Sequence, residues 1–232
     1  MGVMNKEAFL EQVRGRLIVS CQALPDEPLH SSYIMSRMAY AAFLGGAAGI
    51  RANTVEDIAE IRKTVDLPVI GIIKQVYEDH PDLYITPTMA EVDALAACGV
   101  EVIALDATRR VRPGGLTIKE FFPQVRAKYP DQLFMADCSD VEEGMAAAEL
   151  GFDLIGTTLA SYTPYTQGVS LPPFDMIEYL VKHSGKHVVA EGNIWSPQEL
   201  RRAMDLGILT AVVGSAITRP LEITRRFVAA LG

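Results

Sequence analysis

Eight short apolar runs alternate with eight amphipathic runs along the chain, and that rhythm restricts the fold more than any single motif. The apolar runs cover 17–22, 49–52, 69–74, 102–107, 133–138, 154–159, 187–191 and 211–215. Most are Val, Ile and Leu without polar alternation, as in strands buried on both faces. The amphipathic runs cover 33–44, 55–65, 89–98, 118–128, 141–150, 174–183, 197–206 and 221–231. Gly99, Gly151 and Gly207 follow three of them, where a left-handed residue ends a helix. Ser196-Pro197-Gln198-Glu199 supplies an N-cap, a proline at N1 and a glutamate at N3. In 232 residues this alternation predicts an α/β protein, a single (β/α)8 TIM barrel. A doubly wound Rossmann sheet is the weaker alternative, because the first strand–helix turn carries no GxGxxG. No composition break divides the chain, so 1–232 reads as one domain, with 1–16 supplying a helix that closes the barrel floor.

Composition narrows the partners. Hydrophobic residues make up 49%, enough for a large core, and the formal net charge is -8. No long basic run is present, which argues against nucleic acid. An anionic small molecule stays compatible, since local arginines and helix N-termini outweigh a distant negative charge. Cys21, Cys98 and Cys138 are odd in number and lack CxxC spacing, so free buried thiols in a reducing cytoplasm are expected. The first sixteen residues are charged and lack the apolar core of a signal peptide. No apolar stretch is long enough to cross a bilayer, so no membrane partner is expected. His30, His80, His183 and His187 show no useful ligand spacing, and no metal is expected. No GxSxG elbow is present.

The strand ends carry the chemistry. Lys74 closes the apolar run 68–74, and a lysine pressed against such a strand end loses part of its preference for the charged form. Glu191 ends the seventh run, across a barrel mouth from the third. An amine and a carboxylate on either side of a small substrate suit proton abstraction and return. Gln22, Arg51, Asp137 and Thr157, the last followed by Thr158, end other runs, and Gln22, Arg51, Asp137 and Thr157 are candidates for holding substrate oxygens. Arg51 and Asp137 are equally readable as a structural ion pair. Asp106 with Arg109, Arg110 and Arg112 reads as a rim of solvated arginines. The irregular segment 160–173 follows the sixth strand and should stand over the C-terminal face as a loop or lid.

An anion site is expected after strands seven and eight. Gly192 and Asn193 follow one, and Gly214, Ser215 and Arg219 follow the other before a short helical turn. Glycines let backbone approach a ligand, and loops at these strand ends form the common phosphate site of the fold.

Taken together, these segments resemble the N-acetylmannosamine-6-phosphate 2-epimerases. The resemblance runs from Leu17 to Arg219 and rests on the combination of LIVSCQALP from Leu17, GIRA from Gly49, GIIK from Gly71, ALDAT from Ala104, ADCS from Ala136, IGTTL from Ile155, AEG from Ala190 and GSAITR from Gly214. It implies a TIM barrel without a required cofactor that interconverts N-acetylmannosamine 6-phosphate and N-acetylglucosamine 6-phosphate in sialic acid catabolism. It implies catalytic roles for Lys74 and Glu191, substrate contacts at Gln22, Arg51 and Asp137, and phosphate contacts from the Gly192, Gly214, Ser215 and Arg219 group. Asn193 and the 160–173 loop depart from the family pattern. Three alternatives stand beside it: a Schiff-base aldolase using Lys74, a pentose-phosphate 3-epimerase, and a non-catalytic sugar-phosphate-binding barrel. The second is disfavoured by the lack of metal-ligand histidines. Barrels of this size often pair through helix faces, so a homodimer is expected.

Overall fold

The computed structural model describes residues 4–78 and 80–232. Residues 1–3 of the expected floor segment lie outside the described residues. The elements in chain order are α1 (Lys6–Val13), β1 (Leu17–Cys21), α2 (Ser32–Leu44), β2 (Gly49–Asn53), α3 (Val55–Thr64), β3 (Val69–Ile72), β4 (Lys74–Tyr77), β5 (His80–Ile85), α4 (Met89–Ala97) and β6 (Val102–Asp106). They continue with α5 (Ile118–Lys128), β7 (Leu133–Asp137), α6 (Val141–Leu150), β8 (Leu154–Gly156), α7 (Phe174–His183), β9 (His187–Glu191), α8 (Pro197–Asp205), β10 (Thr210–Val213), α9 (Ser215–Thr218) and α10 (Pro220–Ala229).

Eight parallel strands close into a barrel in the order β1-β10-β9-β8-β7-β6-β3-β2. Every predicted strand is present. The addition is the antiparallel hairpin β4–β5, in which Lys74 pairs with Ile85 and Gln75 with Tyr84. Lys74 therefore opens this hairpin instead of closing β3, with Ile73 between them. Thr86, at φ 49, folds the hairpin back: its N–H donates to Ile73 O at 2.7 Å and its hydroxyl accepts from Ile73 N at 3.2 Å. Pro81 and the surrounding charges hide the strand pattern of β5 from a periodicity reading.

Strand alternation separates two apolar layers. Ile18, Ile70, Ile72, Met135, Leu154, Val189 and Val212 fill the barrel interior, whereas Val19, Cys21, Ile103, Phe134, Ile155 and Ala190 face the helices. Phe9 and Val13 of α1 are 1% and 0% exposed and pack with the interior layer. Truncating a buried phenylalanine such as Phe9 to alanine is expected to cost about 3–5 kcal/mol. Cys21 and Cys138 have outward parity and are buried, while Cys98 is only half-buried. Burial pushes the Cys21 thiol up to about 12, with Asp57 adding to the rise, so it is unreactive.

Candidate active site

The same alternation that fills the barrel lifts polar side chains into its mouth. On β1, Ile18 points inward, and Ser20 and Gln22 continue that parity. Two steps beyond Ile72 comes Lys74, and two beyond Val189 comes Glu191. A cavity of about 330 Å³ opens there, walled by Ser20, Gln22, Arg51, Lys74, Thr158 and Glu191. β3 and β9 are four strands apart in either direction round the barrel, so Lys74 and Glu191 approach from opposite sides.

Arg51 organises the polar floor. It is 1% exposed; Nη2 donates to Asp137 Oδ2 at 2.6 Å, and Nη1 to Asp137 Oδ1 at 3.1 Å and to Glu191 Oε2 at 2.9 Å. Burial disfavours its charge, but the Asp137 and Glu191 carboxylates more than offset that and hold it cationic. Thr158 also donates to Asp137 and, at 3.4 Å, to Glu191 Oε2. Both contacts to the Glu191 carboxylate fall on Oε2, and among the described residues Oε1 has no hydrogen-bond partner. Burial pushes the Glu191 acid up to about 7; Arg51 opposes the rise and Asp137 adds to it.

Lys74 is held only by its backbone, whose N–H donates to Asn53 Oδ1 at 2.8 Å. Among the described residues its ammonium makes no hydrogen bond or ion pair. Burial, with Arg219 and Arg51 adding, pulls it down to about 8 against the attraction of Glu191 and Glu27. A neutral amine is thus accessible near physiological pH. Among the described residues two buried side-chain polar atoms lack a partner, Gln22 Oε1 and Arg51 Nε, as in a site that awaits ligand contacts.

The glycine-rich ends of β9 and β10 border the same cavity through Gly192, Asn193, Gly214, Ser215 and Arg219. Gly192 sits at φ +111, and an added Cβ would approach Thr157 O within 3.3 Å. Asn193 is also left-handed, at φ 58. Arg219 donates to Glu27 Oε2 at 3.1 Å.

The structure therefore brings together Lys74, Glu191, Gln22, Arg51 and the five glycine-loop residues. Asp137 and Thr157 are fully buried and do not reach the cavity wall. Asp137 instead accepts from Arg51, which does line the cavity. Thr157 has outward parity, and its hydroxyl donates to Glu191 O at 2.8 Å; Thr158, one residue on, takes the inward place. The solvated arginine rim is corrected as well. Arg112 is 2% exposed, with Nε on Pro87 O at 2.9 Å and Nη2 on Asp106 O at 2.8 Å. Arg110 lines the cavity and stacks 4.4 Å from the Tyr84 ring centroid. Only Arg109, with a side chain 47% exposed, fits the rim reading. Ser20, Arg110, Tyr162 and Trp195 also line the cavity. Counting two residues back from Gln22 finds Ser20; the others come from loops, where no period applies. The 160–173 loop is irregular and brings Tyr162 to the wall. It is anchored by Thr163 donating to Ser139 at 3.2 Å and Tyr165 to Glu143 at 2.5 Å.

A closed (β/α)8 barrel with a polar cavity at the C-terminal ends of its strands, where Lys74 and Glu191 face one another, has the architecture of a barrel enzyme that acts on a small polar substrate. A family model described as "Putative N-acetylmannosamine-6-phosphate epimerase" matches residues 35–232. The chain belongs to this epimerase family. Relatives described as "Putative N-acetylmannosamine-6-phosphate 2-epimerase" include one from Caldanaerobacter subterraneus, 52% identical over 95% of this chain and 92% of its own. Another, from Staphylococcus aureus strain Newman, is 56% identical over 91% of this chain and 96% of its own. The solved N-acetylmannosamine-6-phosphate 2-epimerase of Clostridium perfringens is 51% identical, superposes with a TM-score of 0.91 and covers 99% of both chains. A Pyrococcus furiosus thiamine phosphate pyrophosphorylase, 16% identical with a TM-score of 0.61, shares the fold alone.

Proposed function

We propose that this enzyme interconverts N-acetylmannosamine 6-phosphate and N-acetylglucosamine 6-phosphate by exchanging the proton on C2, within amino-sugar and sialic acid catabolism. The observation that carries the reading is Lys74, an unpaired and weakened ammonium facing Glu191 across one cavity. The C2 proton is acidic only when C1 is a carbonyl, so the sugar reacts in its open form. The neutral Lys74 amine takes the proton and returns it, which inverts C2 when return occurs on the other face. Glu191 serves proton transfer at the C1 oxygen, and cationic Arg51 stabilises the developing enolate. Gln22 Oε1, without a protein partner, is suited to accept from a substrate hydroxyl or amide. Backbone around Gly192, Asn193, Gly214 and Ser215, with Arg219, receives the phosphate and holds C2 between the two groups.

The test is a proton NMR time course in heavy water with N-acetylmannosamine 6-phosphate. Wild type should form the epimer and wash deuterium into C2. Lys74→Ala should do neither, a loss of at least about 100-fold. Full exchange in that variant removes Lys74 from the role.

A homodimer fits this enzyme. Helix α10 buries none of its residues and exposes Leu221, Phe227 and Val228 at 40%, 75% and 60%, with Leu231 just beyond it at 87%. A patch of that kind is usually covered. Sedimentation should give twice the chain mass, and Phe227→Asp should give monomers. Its three free cysteines support a cytoplasmic location, which fractionation of the native cells checks.

A further inference from the structure

The two loops that border the phosphate end of the cavity belong to different strands. Residues 192–196 follow β9, and residues 214–219 follow β10. Among the described residues no side-chain hydrogen bond or ion pair joins them. The contact that reaches residues 192–196 from the β10 side comes from the helix that follows residues 214–219: the guanidinium carbon of Arg226, on α10, lies 3.4 Å from the centroid of the Trp195 ring. Trp195 lines the cavity, whereas Arg226 does not. Trp195 Nε1 also makes a long contact, 3.4 Å, to Oδ1 of left-handed Asn193. Its backbone is pinned separately, since Trp195 N donates to Glu199 Oε2 at 2.7 Å. Arg226 stands seven residues beyond Arg219, the N-cap of α10, and therefore on the same helix face. The stack connects α10, which buries none of its own residues, to the cavity-lining Trp195.

We propose that Arg226 is a positioning residue, which clamps the Trp195 indole and so holds the two phosphate-binding loops at one separation. The inference rests on the sugar-phosphate reading of the cavity. It names a residue outside the cavity that sets affinity at the phosphate end and leaves the chemistry at C2 untouched. A guanidinium over an indole face is attractive by several-fold in an equilibrium constant at a partly exposed site.

Trp195 is the only tryptophan in the chain, so its fluorescence reports this loop alone. Inorganic phosphate is titrated into wild type, Arg226→Ala and Arg226→Lys while tryptophan emission is followed, and KM and kcat are measured with the sugar phosphate. For Arg226→Ala the phosphate Kd and the KM should both rise about fivefold, with kcat within about twofold of wild type. Arg226→Lys, which keeps the charge but loses the planar stack, should fall between. The inference is overturned if Arg226→Ala binds phosphate as wild type does, or if kcat falls while KM stays put. If wild type neither quenches with phosphate nor exchanges C2 hydrogen, the sugar-phosphate reading itself fails instead.

Discussion

Arg51 donates to Glu191 at 2.9 Å while the same guanidinium grips both oxygens of Asp137, at 2.6 and 3.1 Å. One cation thus serves two carboxylates in the barrel mouth, and it leaves the Glu191 acid only partly satisfied. A second full partner would drop that acid to an ordinary carboxylate value and leave it unable to carry a proton near neutrality. The sharing keeps Glu191 poised.

Removing Arg51 should be costly in two ways. Arg51→Met leaves Asp137 and Glu191 as buried carboxylates without a counter-charge, which is expected to destabilise by about 3–5 kcal/mol. Arg51→Lys should recover little, because one ammonium cannot match the planar fork. Urea denaturation midpoints check this, and an unchanged midpoint in Arg51→Met would show that the ion pairs contribute nothing.

The pH dependence follows from Lys74 and Glu191. Lys74 must be neutral to take a proton, and its ammonium titrates at about 8. Glu191 titrates at about 7 and interacts with it, so the apparent midpoints belong to the set. kcat/KM should therefore rise about tenfold per unit below about pH 7, level off between about 7 and 8, and fall above that as Glu191 loses the proton it carries. A profile that is flat below about pH 7 would rule out a titrating amine base.

Stability should move the other way when Lys74 is replaced. Its folded-state pKa is depressed from 10.5 to about 8, so burying the charged form costs stability in full below the folded value. That cost fades as pH rises from about 8 toward 10.5, where the unfolded chain also loses its proton. Lys74→Met should melt higher than wild type at pH 7, by about 2–4 °C for each kcal/mol recovered. The gain should shrink by pH 10 in calorimetric scans.

Gly214 tests the phosphate loop. An added Cβ would meet Ser20 Cβ at 3.1 Å, tight enough to push the β10 loop away from β1. Gly214→Ala should raise KM about tenfold, equivalent to about 1.4 kcal/mol of lost binding, with a smaller change in kcat. Ser20→Ala in the same chain should not restore it, because the clash is with Cβ. Steady-state kinetics at fixed pH decide, and an unaltered KM would place the phosphate elsewhere.

The eight strands and the strand-end positions of Lys74, Glu191, Arg51 and Gln22 were legible before any coordinates. These features depend on local periodicity, and a two-residue repeat carries a side chain's facing along a strand without knowledge of the partner strand. Thr157 shows the limit of using that rule loosely: counting parity from Leu154 selects Thr158, whereas reading only the strand end selects both. The arginines after Asp106 mark a different limit. Their burial depends on Tyr84 of the hairpin and on Phe121 and the Pro87 carbonyl, none of them neighbours in sequence.

The chain by itself determined the barrel, its layers and the set of polar residues delivered to the mouth, because short-range pattern and handed crossover connections leave few other ways to bury those strands. Tertiary structure decided which of those groups share protons and charge. That the Lys74 ammonium has no partner among the described residues, that Asp137 pairs with Arg51 behind the cavity wall, and that Arg226 reaches Trp195 are outcomes of through-space distance. Desolvation and Coulomb energies depend on that distance and not on separation along the chain.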